Sequence, residues 1–293
     1  MLQEISKKSR RLPPWLKRQI AHSGKQNIVK KFVHNPGLHT VCQEAKCPNR
    51  GECYSKGIAT FLILGNICTR NCSFCNISHG SPKPLDKTEP VKLLNAAQNM
   101  NLRHVVITSV TRDDLQDGGA GVFAEIVNLL RKQMPSVSVE LLVPDFLGDT
   151  SAIDTVLSSR PDVFNHNIET VPELYSKIRP QADYKRSLFV LNRAASKGLI
   201  VKSGFMVGLG ENESQITDVM KDLHQNGCTI LTIGQYLQPS SGHTPVTKFI
   251  EPEKFEHFQQ VAKNIGIKSV FSGPYVRSSY RAAELLHNQI SGT

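Results

Sequence analysis

Six of the seven cysteines fall between positions 42 and 75. Cys68, Cys72 and Cys75 make a C-x3-C-x2-C run, and Cys42, Cys47 and Cys53 a C-x4-C-x5-C run. Three thiolates on one short loop is an informative count. A structural zinc takes four closed ligands, and four cysteine thiolates are the usual iron–sulfur shell. Three cysteines can instead hold three irons of a [4Fe–4S] cube and leave the fourth open to a substrate or cofactor. For the upstream triplet two readings stand: a second open cluster, or one completed by a ligand from elsewhere. A disulfide framework fits badly. A chain of 293 residues can build its own core, and no apolar h-region follows the basic N-terminus MLQEISKKSRRLPPW.

Such loops need a scaffold. From residue 60 onward, short apolar runs alternate with helical segments. The runs 60–65, 104–109, 138–143, 162–168, 200–207 and 229–236 predict strands. Helices are expected near 90–100, 121–133, 150–159, 172–197 (in two pieces), 214–226 and 252–265. Continuous apolar strands separated by helices indicate a parallel sheet covered by helices. The expected fold is α/β, an incomplete (β/α)6 TIM-type barrel over 60–250, with a doubly wound open sheet as the alternative. Residues 1–59 read as a loop-rich extension and 251–293 as a helical one. Ligands bind a parallel barrel at the C-terminal strand ends. There stand the Cys68 loop, Thr108 and Ser109, Pro144 and Asp145, Asn165, Asn167 and Glu169, Gly208 and Glu211, and Gln235 and Tyr236.

Composition is that of an ordinary globular chain, with 39% apolar and 20% charged residues. No run of 18 apolar residues exists, so no membrane-spanning helix is expected. The cytoplasm is the expected location, with an organelle interior as the other possibility. The net charge of +10 is uneven: residues 1–34 carry nine Lys/Arg against one acid, Glu4. The remainder is nearly neutral, so a nucleic-acid partner is not expected. The basic arm reads as a contact for an acidic partner, a solvated tail or a transit peptide.

The residues around the thiols add a resemblance. C-x3-C-x2-C with Phe74 before its last cysteine resembles the signature of the radical S-adenosylmethionine enzymes. Gly204-x-Met206-x-Gly208-x-x-Glu211 resembles the segment that packs on adenine in that superfamily. Thr108-Ser109 occupies the place of the strand end that meets the methionine amino group. Glu169 is a candidate for the ribose, with Asn167 beside it. Taken singly, each has a plain reading: a glycine after a strand is turn chemistry, and a strand-end Glu is a cap or a solvated charge.

The paired spacing C-x4-C-x5-C and C-x3-C-x2-C is similar to that of the lipoyl synthases. The similarity extends through Pro13-Pro14-Trp15-Leu16, Thr40-Val41-Cys42-Gln43-Glu44-Ala45, Thr108-Ser109-Val110-Thr111-Arg112-Asp113-Asp114, Asn165-His166-Asn167-Ile168-Glu169-Thr170 and Arg277-Ser278-Ser279-Tyr280. It implies an enzyme that inserts two sulfurs, at C6 and C8 of an octanoyl chain on a carrier lysine. The implied cofactors are S-adenosylmethionine and two [4Fe–4S] clusters, a reducing one on Cys68, Cys72 and Cys75 and a sulfur-donating one on Cys42, Cys47 and Cys53. It offers Ser279, in preference to Ser278, as fourth ligand of the donor cluster. The competing reading of both serines is capping of a helix through Arg281–Leu286. Implied partners are octanoylated carrier domains (a 2-oxoacid dehydrogenase acyltransferase subunit or the glycine cleavage H protein) and reduced flavodoxin or ferredoxin. A monomer is expected.

No acid–base side chain removes an alkane hydrogen, so a cofactor must carry that step and the protein must exclude water from it. Both extensions are therefore expected to close the barrel mouth. A biotin-synthase-like enzyme and a non-catalytic electron carrier are the alternatives. Cys228 reads as a small buried apolar residue, and His39, His166 and His243 as hydrogen-bonding groups. Asp113 and Asp114 are expected to pair with Arg112 or start a helix. Arg179 and Arg186 are expected either to meet the cofactor carboxylate or to be solvated.

Overall fold

The computed structural model describes residues 12–17, 26–34, 37–55 and 58–291. Most of the basic arm lies outside them. Its upstream segments are short: α1 (Gln26–Val29), β1 (His39–Thr40), α2 (Val41–Glu44) and α3 (Arg50–Ser55). Then come β2 (Thr60–Ile63), the paired short strands β3 (Ile67–Cys68) and β4 (Ser78–His79), α4 (Glu89–Asn99), β5 (His104–Ser109), α5 (Ala120–Gln133), β6 (Ser138–Leu142) and α6 (Thr150–Ser158). The second half holds β7 (Val163–Asn165), α7 (Tyr175–Ile178), α8 (Tyr184–Ser196), β8 (Ile200–Val207), α9 (Glu213–Gln225), β9 (Ile230–Gln235), α10 (Pro252–Ile265), β10 (Ser269–Gly273) and α11 (Ala282–Ser291).

The main sheet has the order β1-β2-β5-β6-β7-β8-β9-β10. Its pairings from β2 to β10 are all parallel, and only β1 joins antiparallel, on the outer edge of β2. Strand alternating with helix, and no pairing of β10 back to the first strands among the described residues, make an incomplete barrel of the TIM type. The six expected strands are present. A seventh, β10, lies within the segment expected to be helical. The 172–197 stretch divides as expected: α7 ends before Arg179-Pro180, since proline cannot continue a helix.

Local chemistry sets the boundaries. Asn212 and Gln215 form a reciprocal capping box at the start of α9. Asp149 and Asp183 accept backbone N–H groups at the starts of α6 and α8. Strand alternation then sorts side chains between two faces. Phe61, Ile63, Val105, Ile107, Val139, Leu141, Phe164, Val201, Leu231 and Ile233 face the helices and are fully buried with Phe123, Ile126 and Leu130 of α5. Each such side chain contributes roughly 1.5–3 kcal/mol of burial.

The opposite, inner face is different. It carries Thr60, Leu62, Val106, Thr108, Glu140, Leu142, Val163, Asn165, Lys202, Gly204, Met206, Ile230, Thr232 and Gly234. Large branched residues usually fill a parallel barrel. Here polar and small residues, the charged Glu140 and Lys202 among them, are interspersed with the apolar ones.

Candidate active site

The Cys68 loop leaves the C-terminal end of β2 and is fastened on several sides. Thr69 N–H donates to Thr111 O at 3.0 Å, and Thr111 N–H donates to Cys68 Sγ at 3.3 Å. His243 Nε2 meets Cys75 O at 3.0 Å, and Ser73 N–H donates to Ile178 O at 3.0 Å. Arg70, between the first two thiols, is 5% exposed. Its Nε and Nη2 donate to both Asp113 oxygens at 2.7 and 2.9 Å, and Nη2 also donates to Asp145 Oδ1 at 2.7 Å. Burial works against the Asp145 charge, but Arg70 outweighs it and holds the carboxyl down at about 2. Asp114 pairs with Arg112 as expected; Asp113 pairs instead with Arg70. Arg186 is bound to Asp145 at 3.2 Å.

Burial pushes the Cys75 thiol up to about 12, with Cys72 and Cys68 adding to the effect. Cys72 is raised by burial as well, against the pull of Arg179. Thiols so placed stay protonated unless a cation replaces the protons. Among the described residues no three thiol, imidazole or carboxylate groups converge on a single-ion site. A cube presents irons at separate corners, which suits three thiols spread along a loop.

Around the strand ends, four buried polar atoms have no hydrogen-bond partner: Ser109 Oγ, Asn165 Oδ1, Thr170 Oγ1 and Arg179 Nε. Such atoms are costly unless a ligand completes them, and they stand where a cofactor was expected. Asn167 Nδ2 donates to Glu169 Oε1 at 3.0 Å. Burial raises the Glu169 carboxyl, while Arg179, Asn167 and Arg277 oppose that shift. Its backbone is left-handed, with φ 65°, which turns it off the strand line. Thr108 spends its hydroxyl on Leu142 O at 2.9 Å. Glu211 accepts from the N–H groups of Gly208, Leu209 and Gly210, shaping that turn from within. Gly208 has φ 99°, and a Cβ there would lie 2.4 Å from Lys248 O. Only glycine fits.

The upstream triplet lies elsewhere. Cys42 follows β1, and its thiol lies beside Thr60, the first residue of β2, whose polar groups oppose the rise of its pKa. Burial lifts it to about 11, and Cys47 adds to the rise. Cys42 therefore sits at the start of β2 and Cys68 beyond its end, with roughly 10 Å of strand between. The C-terminal segment joins the first of these places. After β10 it turns back along the inner face. A Cβ on Gly234 would lie 2.1 Å from Val276 O, so a bare glycine admits the segment there. Ser278 Oγ donates to Asn167 Oδ1 at 2.9 Å. Thr60 Oγ1 donates to Ser279 Oγ at 2.8 Å. Asn49 Nδ2 donates to Tyr275 O at 2.6 Å, tying the two extensions together. Neither serine hydroxyl is engaged with α11, which begins at Ala282.

Sequence reading missed Thr60, Arg70, Glu140 and Lys202. Lys202 gave a visible signal, a lysine within an apolar strand run. Cys228 is buried, with its thiol donating to Ile230 O. His39 meets Glu44, and His166 meets Val143 O and Ser187.

Comparison with known proteins agrees with this geometry. Residues 62–223 match the radical SAM superfamily, and residues 2–47 match the N-terminal domain of lipoyl synthase of the radical SAM family. The lipoyl synthase of Caldanaerobacter subterraneus subsp. tengcongensis is 52% identical over 274 residues, covering 93% of this chain and 96% of the relative. That of Nitratidesulfovibrio vulgaris strain Hildenborough is 51% identical over 277 residues, 94% of this chain and 93% of the relative. In fold, the chain is similar to Streptococcus suis SuiB bound to S-adenosylmethionine, with TM-score 0.56, 11% identity and coverage of 74% and 50%. It is also similar to HydG, a maturase of the [FeFe]-hydrogenase, with TM-score 0.54, 14% identity and coverage of 78% and 61%. Half-identity across nearly the whole of both chains goes with two thiol triplets on an incomplete barrel, and the chain belongs to the lipoyl synthase family, sulfurtransferases of the radical S-adenosylmethionine superfamily that use [4Fe–4S] clusters.

Proposed function

We propose that the two thiol triplets divide the reaction between the two ends of β2. Cys68, Cys72 and Cys75 hold the reducing cluster. Cys42, Cys47 and Cys53 hold the sulfur-donating one, with Ser279 as fourth ligand. When bound, the first cluster and S-adenosylmethionine supply a 5′-deoxyadenosyl radical, and the second supplies sulfide for C6 and C8 of the octanoyl chain. The observation that carries this reading is the position of Ser279, whose hydroxyl accepts from Thr60, the residue beside the Cys42 thiol.

The chain's own residues bind and exclude. Ser109 and the backbone of Thr108 meet the methionine end of the cofactor, and Asn167 and Glu169 the ribose. The Gly208 turn, held by Glu211, lies along the adenine. Arg70 and His243 keep the cluster loop from shifting. Tyr275–Tyr280 keeps water out of the inner face. An octanoyl chain lying along that face has one cysteine set near each end of its path.

The substrate is an octanoylated lipoyl carrier domain, of a 2-oxoacid dehydrogenase acyltransferase subunit or the glycine cleavage H protein. Reduced flavodoxin or ferredoxin supplies electrons to a monomeric enzyme in the cytoplasm. No helix of the described residues is long and apolar enough to cross a membrane. Anaerobic reconstitution followed by reaction with an octanoyl-lysine peptide tests the proposal: 5′-deoxyadenosine and a lipoyl peptide are expected together. Cleavage of S-adenosylmethionine with no sulfur on the peptide would contradict it.

A further inference from the structure

A chain of buried polar groups runs along the inner face and belongs to neither cysteine loop. Lys202 and Glu140 are 0% and 1% exposed. Lys202 Nζ donates to Glu140 Oε1 and Oε2 at 2.8 and 3.0 Å. Asn165 Nδ2 donates both to Glu140 Oε1 and to Ser278 Oγ, each at 3.0 Å. Ser278 Oγ donates to Asn167 Oδ1 at 2.9 Å, and Asn167 Nδ2 donates to Glu169 Oε1 at 3.0 Å.

The direction of every bond follows from chemistry. An ammonium only donates and a carboxylate only accepts. Glu140, facing Lys202, must therefore receive the amide NH2 of Asn165. That leaves Asn165 Oδ1 buried without a partner. Ser278 accepts from Asn165, so its single proton goes to Asn167 Oδ1. Asn167 then has only its NH2 to offer Glu169. Donation runs outward from Asn165, to Glu140 on one side and through Ser278 and Asn167 to Glu169 on the other, with a carboxylate at each end and Ser278 as the narrowest link. A serine hydroxyl has one proton to give.

Ser278 is also the covalent neighbour of Ser279, about 3.8 Å away between Cα atoms. The two hydroxyls point to different places, one to the Glu169 pocket and one to Thr60 beside Cys42. From this juxtaposition we infer that Ser278 is a positioning residue that couples occupancy of the S-adenosylmethionine pocket to the seating of Ser279. The inference rests on the proposed roles of Glu169 and Ser279. A ribose held by Glu169 fixes the Asn167 amide, which fixes Ser278, and with it the backbone that carries Ser279. Coupling of this kind is reciprocal: seating Ser279 raises affinity for the cofactor by the same factor.

Two measurements on the anaerobically reconstituted protein test it. One is S-adenosylmethionine affinity by calorimetry. The other is amide hydrogen exchange of peptides spanning 275–286, with and without the cofactor. In the wild type, the cofactor should slow exchange there. Ser278→Ala should exchange at one rate in both conditions and bind the cofactor roughly tenfold more weakly. Ser278→Thr, which keeps the hydroxyl, should restore both. Thr60→Val leaves the Ser278 chain whole and releases Ser279 from the other side; it too should weaken cofactor binding. Failure of the wild type to bind S-adenosylmethionine would overturn the pocket assignment itself. Binding with no change in exchange would overturn the coupling alone. So would wild-type behaviour in Ser278→Ala, or unchanged affinity in Thr60→Val.

Discussion

Thr60 and Ser279 lie 219 positions apart and share a hydrogen bond of 2.8 Å between their hydroxyls. Thr60 opens β2 and lies beside the Cys42 thiol. The C-terminal segment therefore brings a serine oxygen beside the upstream cysteine set. A serine oxygen is harder than a thiolate and holds iron less firmly. That suits a cluster that must open to release sulfide. Ser279→Cys should keep a full complement of iron but stop lipoyl formation. Ser279→Ala should lose lipoyl formation while still making 5′-deoxyadenosine. Iron analysis and product mass spectrometry read both. Normal lipoyl yield from each variant would return the pair to a packing role.

Arg70 clamps the Cys68 loop through a two-pronged bond to Asp113 and a third bond to Asp145. Lysine keeps the charge but cannot make that fork. Arg70→Lys is expected to lower 5′-deoxyadenosine formation by about 10- to 100-fold, the usual effect of losing an outer support of metal ligands. Lipoyl product per 5′-deoxyadenosine should stay constant, because the upstream set is untouched. A change in that ratio would contradict the assignment of Arg70 to the reducing end.

The Glu140–Lys202 pair is fully buried, so removing one partner strands a charge. Lys202→Met alone should cost about 3–5 kcal/mol in urea unfolding. Adding Glu140→Leu should recover much of that loss, because an apolar pair leaves no stranded charge. A single variant as stable as the parent would argue that water reaches the pair.

His166 is buried between Val143 O and Ser187, and burial, aided by Arg179, holds it at about 4 against an ordinary 6.5. The unfolded chain takes up this proton near pH 6.5, and the folded chain only near 4. The stability is therefore complete above pH 6.5 and is lost as pH falls through this window. The whole effect is on the order of 3 kcal/mol. His166→Asn should flatten the fall in urea midpoint between pH 6.5 and 4, relative to the wild type. Asp145, held at about 2, titrates below that window. Parallel curves would contradict the neutral, buried histidine.

The barrel was legible because each long strand has a continuous apolar face toward the helices, and the cysteine loops because thiol spacing survives in sequence. β10 was not, since Ser269-Val-Phe-Ser-Gly273 mixes polar and small residues and its evidence is its pairing with β9. Arg70, Thr60 and Glu140 were missed for a related reason. Their meaning lies in partners 43, 219 and 62 positions away. Local pattern carries no trace of such pairs. Thr108 and Glu211 show the converse: motif residues whose side chains are occupied in holding strand and turn.

The division of labour between the two triplets is tested most directly by one reaction of Cys47→Ala. The reconstituted variant is given S-adenosylmethionine, a reductant and an octanoyl-lysine peptide without oxygen, and 5′-deoxyadenosine and peptide-bound sulfur are measured together. The expected result is continued 5′-deoxyadenosine formation with no sulfur on the peptide, while Cys68→Ala makes neither product. Lipoyl peptide from Cys47→Ala, or loss of 5′-deoxyadenosine in that variant alone, would contradict the account.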